Sequence, residues 1–202
     1  MNKTLYLIRH SSPFVEIENY DDYENVLWEE YNKNMILSVL GEEKASKLCG
    51  IEELKNIKNI YSSNSFRAIS TAKYLSESNH TKIKLDDRIN ERIFGVKYLN
   101  ELPKDFTERS FLDKNYKIKN GESLNDLNKR VSSVISNLIK DNLTKRLVVV
   151  TNRDVIQSAV ANALNIPPRH QTKICVQSAS ATQVSYFKDF SMLMYSNYFI
   201  SL

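Results

Sequence analysis

Residues 4–12 read TLYLIRHSS: a short apolar, β-forming run, Thr4–Ile8, that leads straight into Arg9, His10 and Ser11. Such a run, bounded by polar residues, predicts a buried strand, and it is too short for a signal-peptide core or a membrane span. Two further runs of the same kind follow. Lys58–Ser62 (KNIYS) leads to Asn64 and Arg67, and Leu147–Thr151 (LVVVT) leads to Asn152, Arg153 and Asp154. Lys82–Leu85 is another strand candidate. Gln183–Phe187 and Met192–Tyr195 read as a closing hairpin turning at Lys188–Ser191.

Helical patterns lie between these strands. Ser38–Leu54 carries apolar residues at helical spacing with a break at Gly50. Ser65–Ser76 starts at a plausible N-cap, Ser65. Glu122–Lys140 keeps a 3.6-residue period through Leu124, Leu127, Val131, Val134, Ile135 and Leu138, with GESL as its acidic start. Asp154–Leu164 is stopped by Pro167-Pro168. Two segments fit neither pattern. Residues 14–34 are acidic and aromatic, partly helical at best, and residues 92–120 are irregular around Pro103; both read as cap segments. Alternation of strands and helices predicts one α/β domain over residues 1–202, a three-layer sandwich with a mainly parallel sheet and helices on both faces.

The bulk composition suits this. The chain has 202 residues, 42% hydrophobic and 26% charged, enough for a single sizeable core under an ordinary polar surface. The net charge of +4 comes without a Lys/Arg block. That fits a small anionic substrate and argues against a nucleic-acid or membrane partner; equally, it fits a Lys-rich solvated surface. Cys49 and Cys175 stand far apart with no CxxC, as in a reducing cytoplasm. His10, His80 and His170 show no metal-ligand spacing, so neither metal nor cofactor is expected. Nothing in the pattern sets an oligomeric state.

In open α/β sheets ligands bind beyond the carboxyl ends of strands. If the three strands are neighbours, Arg9, His10, Ser11, Asn64, Arg67, Asn152 and Arg153 converge there. Two arginines and a histidine suit a tetrahedral phosphate, because the guanidinium fork pairs with two oxygens at once. A neutral His10 could attack phosphorus, with flanking arginines depressing its pKa and an acceptor on the other ring nitrogen fixing the tautomer. Glu91 in RINERIFG is the candidate proton donor to a leaving alkoxide, provided burial or a nearby phosphate keeps it protonated. Flanked by Arg88 and Arg92, it could instead be a surface ion pair. Glu122 reads as part of a helix N-terminus.

These residues resemble the histidine phosphatase superfamily, which includes cofactor-dependent phosphoglycerate mutases and many phosphomonoesterases. LYLIRHSS resembles its opening strand and Arg-His-Gly, with Ser11 in place of Gly. LSVLGEEKA resembles Leu-Thr-x-x-Gly-x-x-Gln-Ala, and YSSNSFRAISTA resembles Ser-Ser-x-x-x-Arg-Ala-x-x-Thr-Ala. RINERIFG resembles the acid-bearing segment, GESL resembles Gly-Glu-Ser, and VVVTNRDVI resembles the strand ending in Ser/Thr-His-Gly. The ordered set spans nearly the whole chain.

The resemblance implies His10 as the phosphorylated nucleophile, Arg9 and Arg67 as phosphate clamps and Glu91 as proton donor, acting on a small phosphorylated substrate. Asn152 stands where a second histidine belongs, Arg153 where Gly is usual, and Glu16 where some members have a phosphate-binding Asn. Asn152 can donate one neutral hydrogen bond but carries no charge. The resemblance therefore implies a phosphomonoesterase impaired by Asn152. The alternatives are a phospholigand-binding protein without catalysis and, against the missing motif features, a mutase.

Overall fold

A computed structural model describes residues 2–14 and 27–200. Its frame is a six-stranded sheet built from β1 (Lys3–Arg9), β2 (Ile60–Ser62), β3 (Ile83–Leu85), β4 (Arg146–Thr151), β5 (Ala181–Tyr186) and β6 (Ser191–Tyr198), in the order β3-β2-β4-β1-β5-β6. The pairs β2–β3, β2–β4 and β1–β4 are parallel, and β5 and β6 are added antiparallel at one edge. The mainly parallel sheet is as the sequence predicts, and the closing hairpin is longer than its apolar pattern suggests.

The apolar runs of β1 and β4 are continuous because both faces are covered. Leu5, Leu7, Leu147 and Val149 pack against Leu127, Val131, Val134 and Ile135 of α5 (Leu124–Asp141) and Val155, Ile156, Ala159 and Val160 of α6 (Arg153–Ala163). The alternate residues Tyr6, Ile8, Val148 and Val150 pack on the opposite face against Ala68, Ala72 and Leu75 of α3 (Phe66–Ser78) and Leu48. α2 (Val39–Lys47) gives way at Leu48–Gly50 to a 3-10 turn, the break expected near Gly50.

Helix α5 begins with a reciprocal capping box between Ser123 and Asp126. The acid of its first turn is therefore Asp126. Glu122, one residue before the cap, instead receives both forks of Arg130 at 2.7 Å. Ser65 occupies the N-cap of α3 but offers its backbone no side-chain bond; its hydroxyl pairs with that of Ser63 at 3.2 Å.

The segment expected to be irregular, 92–120, contains a helix, α4 (Phe106–Leu112), because Phe106 and Leu102 have an apolar cluster to pack into. That cluster joins them to Phe94, Leu99 and Trp28. Trp28 opens α1 (Trp28–Asn34), the described helical part of the other cap segment, and stacks on Phe94 with ring centroids 4.6 Å apart. Residues 15–26, including Glu16, lie outside the described residues.

Candidate active site

Sheet register brings the three strand ends level. Arg9 pairs with Thr151, and Ile8 and Ser62 both pair with Val150. The next residues remain tied across the rim: the His10 N–H donates to the Thr151 carbonyl (2.9 Å) and the Ser63 N–H to the Val150 carbonyl (3.0 Å). His10, Asn152 and the start of α3 thus emerge side by side.

The loop after β1 is fixed by close backbone packing. The Ser11 hydroxyl donates to the Gly41 carbonyl (2.6 Å), and the Ser11 N–H donates to Thr71 Oγ1 (2.9 Å), which in turn donates to the Arg67 carbonyl (2.7 Å). Gly41 must lack a side chain, since a Cβ there would overlap the Ser12 carbonyl oxygen. Ser11 is fully buried. Its side chain faces Gly41, not the cavity of the site, so its contribution is made by the backbone carbonyl.

That carbonyl fixes the imidazole. His10 Nδ1 lies 2.8 Å from the Ser11 carbonyl oxygen, which can only accept, so Nδ1 carries the proton. Nε2 is then a bare acceptor and receives Arg67 Nε–H at 3.0 Å. Burial, then the guanidinium groups of Arg67 and Arg9, push the imidazole well below its usual titration range. The ring is neutral at pH 7 with a defined lone pair.

Arg67 is itself 3% exposed. Nη2 donates to Asn152 Oδ1 (2.9 Å) and Asn32 Oδ1 (2.5 Å), and Nη1 to the carbonyls of Asn32 (2.9 Å) and Tyr31 (3.3 Å). Asn152 is 1% exposed and its Nδ2 has no hydrogen-bond partner, leaving a spare neutral donor beside the cation. Arg9 directs its Nη1 to the Val176 carbonyl (2.9 Å).

A cavity of about 900 Å³ opens beside this cluster, walled among others by Asn32, Asn64, Asn90, Glu91, Asn152 and Trp28. Asn64 is held by its N–H to Asn90 Oδ1 (2.8 Å). Glu91 is half-buried, and its carboxyl is pushed up to about 7, mainly by burial and secondarily by the Asp154 carboxylate. Arg88 forks onto Asp86 (2.9 and 2.7 Å) and Arg92 Nε donates to the Glu122 carbonyl (2.9 Å). The Glu91 carboxylate instead accepts the Arg92 backbone N–H (3.0 Å). Arg130, anchored on Glu122, donates to the carbonyls of Arg88 (2.8 Å) and Asn90 (3.0 Å) and so positions this loop. Arg153 is exposed, with Nε 3.3 Å from Asp154 Oδ1, and does not wall the cavity. Among the described residues no group of three or more His, Cys, Asp or Glu side chains could hold a metal ion, and no helix is long and apolar enough to cross a membrane.

Sequence reasoning missed Asn32, which sits in an acidic, aromatic stretch with no motif around it, and Thr71, whose linking role is hidden in the Arg-Ala-x-x-Thr-Ala pattern.

The family model for the histidine phosphatase superfamily (branch 1) matches residues 5–197. The chain belongs to this superfamily. No curated protein matches this chain. Solved structures share its fold. Mycobacterial glucosyl-3-phosphoglycerate phosphatase is 19% identical, with a TM-score of 0.80 over 98% of this chain and 99% of that one. A protein described as mycobacterial hydrolase 2 is 20% identical, with a TM-score of 0.78 over 100% of this chain and 93% of that one. Phosphoserine phosphatase from Entamoeba histolytica, solved with 3-phosphoglyceric acid, is 22% identical, with a TM-score of 0.76 over 97% of each chain.

Proposed function

We propose that this chain hydrolyses a small phosphomonoester through a phosphohistidine on His10 Nε2, without metal or cofactor, in a reducing cytoplasm where Cys49 and Cys175 stay free. The observation that carries the reading is the fixed tautomer: Nδ1–H on the Ser11 carbonyl and a bare Nε2 facing Arg67. Nε2 attacks phosphorus as the P–O bond to the leaving group breaks, and the Glu91 carboxyl gives its proton to the departing alkoxide. Glu91, now a carboxylate, takes a proton from water as that oxygen attacks phosphorus. The P–N bond breaks, free phosphate leaves and His10 is restored. Arg67, Arg9 and the spare Asn152 Nδ2 donor stabilise the transferring oxygens. Asn64 lines the route of the leaving group. The structurally similar glucosyl-3-phosphoglycerate and phosphoserine phosphatases support a small polar phosphate ester as substrate. The test is hydrolysis of an aryl phosphate. The intact chain turns it over and His10→Ala does not; equal rates would refute the reading.

A second reading, phospholigand binding without catalysis, is favoured by Asn152. Its amide lacks the charge of an imidazolium, and one lost preorganised donor typically costs about 10²–10³ in rate. Turnover of the given chain and of Asn152→His separates the two. Measurable hydrolysis that rises in the variant fits an impaired enzyme; vanadate binding with no hydrolysis by the given chain fits the second reading.

A further inference from the structure

We propose that the last turn of α1 occupies Arg67 in place of a phosphate, so that Asn32 is a built-in competitor that the ligand must displace. This rests on the reading of His10 and Arg67 as the phosphate site. A guanidinium has five N–H donors. Those of Arg67 meet five protein acceptors: His10 Nε2, the Tyr31 carbonyl, the Asn32 carbonyl, Asn32 Oδ1 and Asn152 Oδ1. Three of these belong to α1. A phosphoryl oxygen approaching Arg67 finds every N–H taken and the nucleophilic lone pair of His10 engaged.

The cavity wall fits this state. Asn32 and Asn152 line the cavity, whereas His10 and Arg67, at 6% and 3% exposure, do not. The buried pair is one hydrogen bond removed from the space a substrate enters.

Displacement is chemically easy. The Tyr31 carbonyl also accepts the Met35 N–H (3.3 Å), so it keeps a partner on leaving Arg67, and Asn32 faces the cavity, where water can satisfy it. Neutral oxygens would be exchanged for those of a dianion, which add direct charge attraction and can accept two guanidinium N–H bonds at once. The front of α1 stays anchored through the Trp28 N–H on the Lys97 carbonyl (3.0 Å) and the Trp28–Phe94 stack. Only the last turn needs to withdraw.

The experiment is calorimetric titration of inorganic phosphate into the full chain, Asn32→Ala and Asn32→Asp, with amide hydrogen exchange of residues 31–35 in the unsubstituted chain. Asn32→Ala should bind phosphate about three- to tenfold more tightly, since one competing bond is gone. Asn32→Asp should bind at least about tenfold more weakly, since a carboxylate grips Arg67 and repels the anion. Phosphate should speed exchange at residues 31–35. Equal or weaker phosphate binding by Asn32→Ala, no binding by either chain, or unchanged exchange overturns the proposal. The readout is binding, so it fails separately from the phosphatase reading. A chain that hydrolyses esters while Asn32→Ala binds phosphate no better defeats only the displacement. Tighter binding without hydrolysis defeats only the catalytic reading.

Discussion

Arg67 Nε donates to His10 Nε2 across 3.0 Å, joining two residues 57 positions apart in a buried contact at the sheet rim. The same guanidinium reaches Asn152 Oδ1 through Nη2 at 2.9 Å. One planar group therefore aligns the ends of β1 and β4, and the chemistry of each partner depends on its fork.

Arg67→Lys tests that dependence. A lysine offers a point charge on a flexible stem and cannot address the imidazole and the carboxamide in one plane. Aryl phosphate kcat/KM should fall by about 10²–10³, the usual effect of losing a preorganised donor. Steady-state kinetics check this, with circular dichroism confirming the fold; unimpaired turnover would show that the fork is dispensable.

Glu91 gives a pH signature. With its carboxyl raised to about 7, the proposed proton donor is lost as pH rises through that value, so kcat should decline on the alkaline side. Glu91→Gln should flatten this limb and slow alkyl phosphates by about 10²–10⁴, with less effect on nitrophenyl phosphate, whose leaving group needs no proton. Stability follows the same sign. The folded state holds a proton that a carboxyl titrating at 4.5 releases, so this contribution is full below 4.5 and lost as pH rises through about 7. The melting temperature of Glu91→Gln relative to the parent should therefore rise between pH 5 and pH 8.

Gly41 is where helix α2 meets the loop after β1. In Gly41→Ala the added methyl group must push the Ser12 carbonyl away, and Ser11 hangs from the carbonyl of the same residue. Overpacking of this kind costs about 1–3 kcal/mol, a drop of roughly 2–12 °C in Tm for a chain of this size. Phosphate ester turnover should fall with it. An unchanged melting curve measured by calorimetry would remove Gly41 from this role.

The sheet was legible because its central strands are covered on both faces, so TLYLI and LVVVT stand out as apolar runs. β3 is only three residues long with Lys84 and Leu85 exposed, yet the Lys82–Leu85 reading falls within one residue of it. α4 was invisible because its packing partners, Phe94 in the irregular stretch before it and Trp28 in the other cap segment, lie outside any local helical period. At the site, the Arg-His and Arg-Ala motifs pointed to His10 and Arg67, while the tautomer required a backbone carbonyl that no sequence pattern encodes. Ser11 was expected to converge on the pocket with Arg9 and His10; small residues at a loop bend serve equally for packing, and here the hydroxyl is spent on Gly41. Asn32 escaped notice because its role arises only when α1 folds over Arg67.

The central claim is a covalent phosphohistidine, and the most direct measurement is a rapid alkaline quench during turnover of a radiolabelled phosphomonoester, followed by mapping of the label. The account predicts label on the peptide containing His10, stable in alkali, released by acid and absent from His10→Ala. Hydrolysis that proceeds at full rate with no label on that peptide would contradict it.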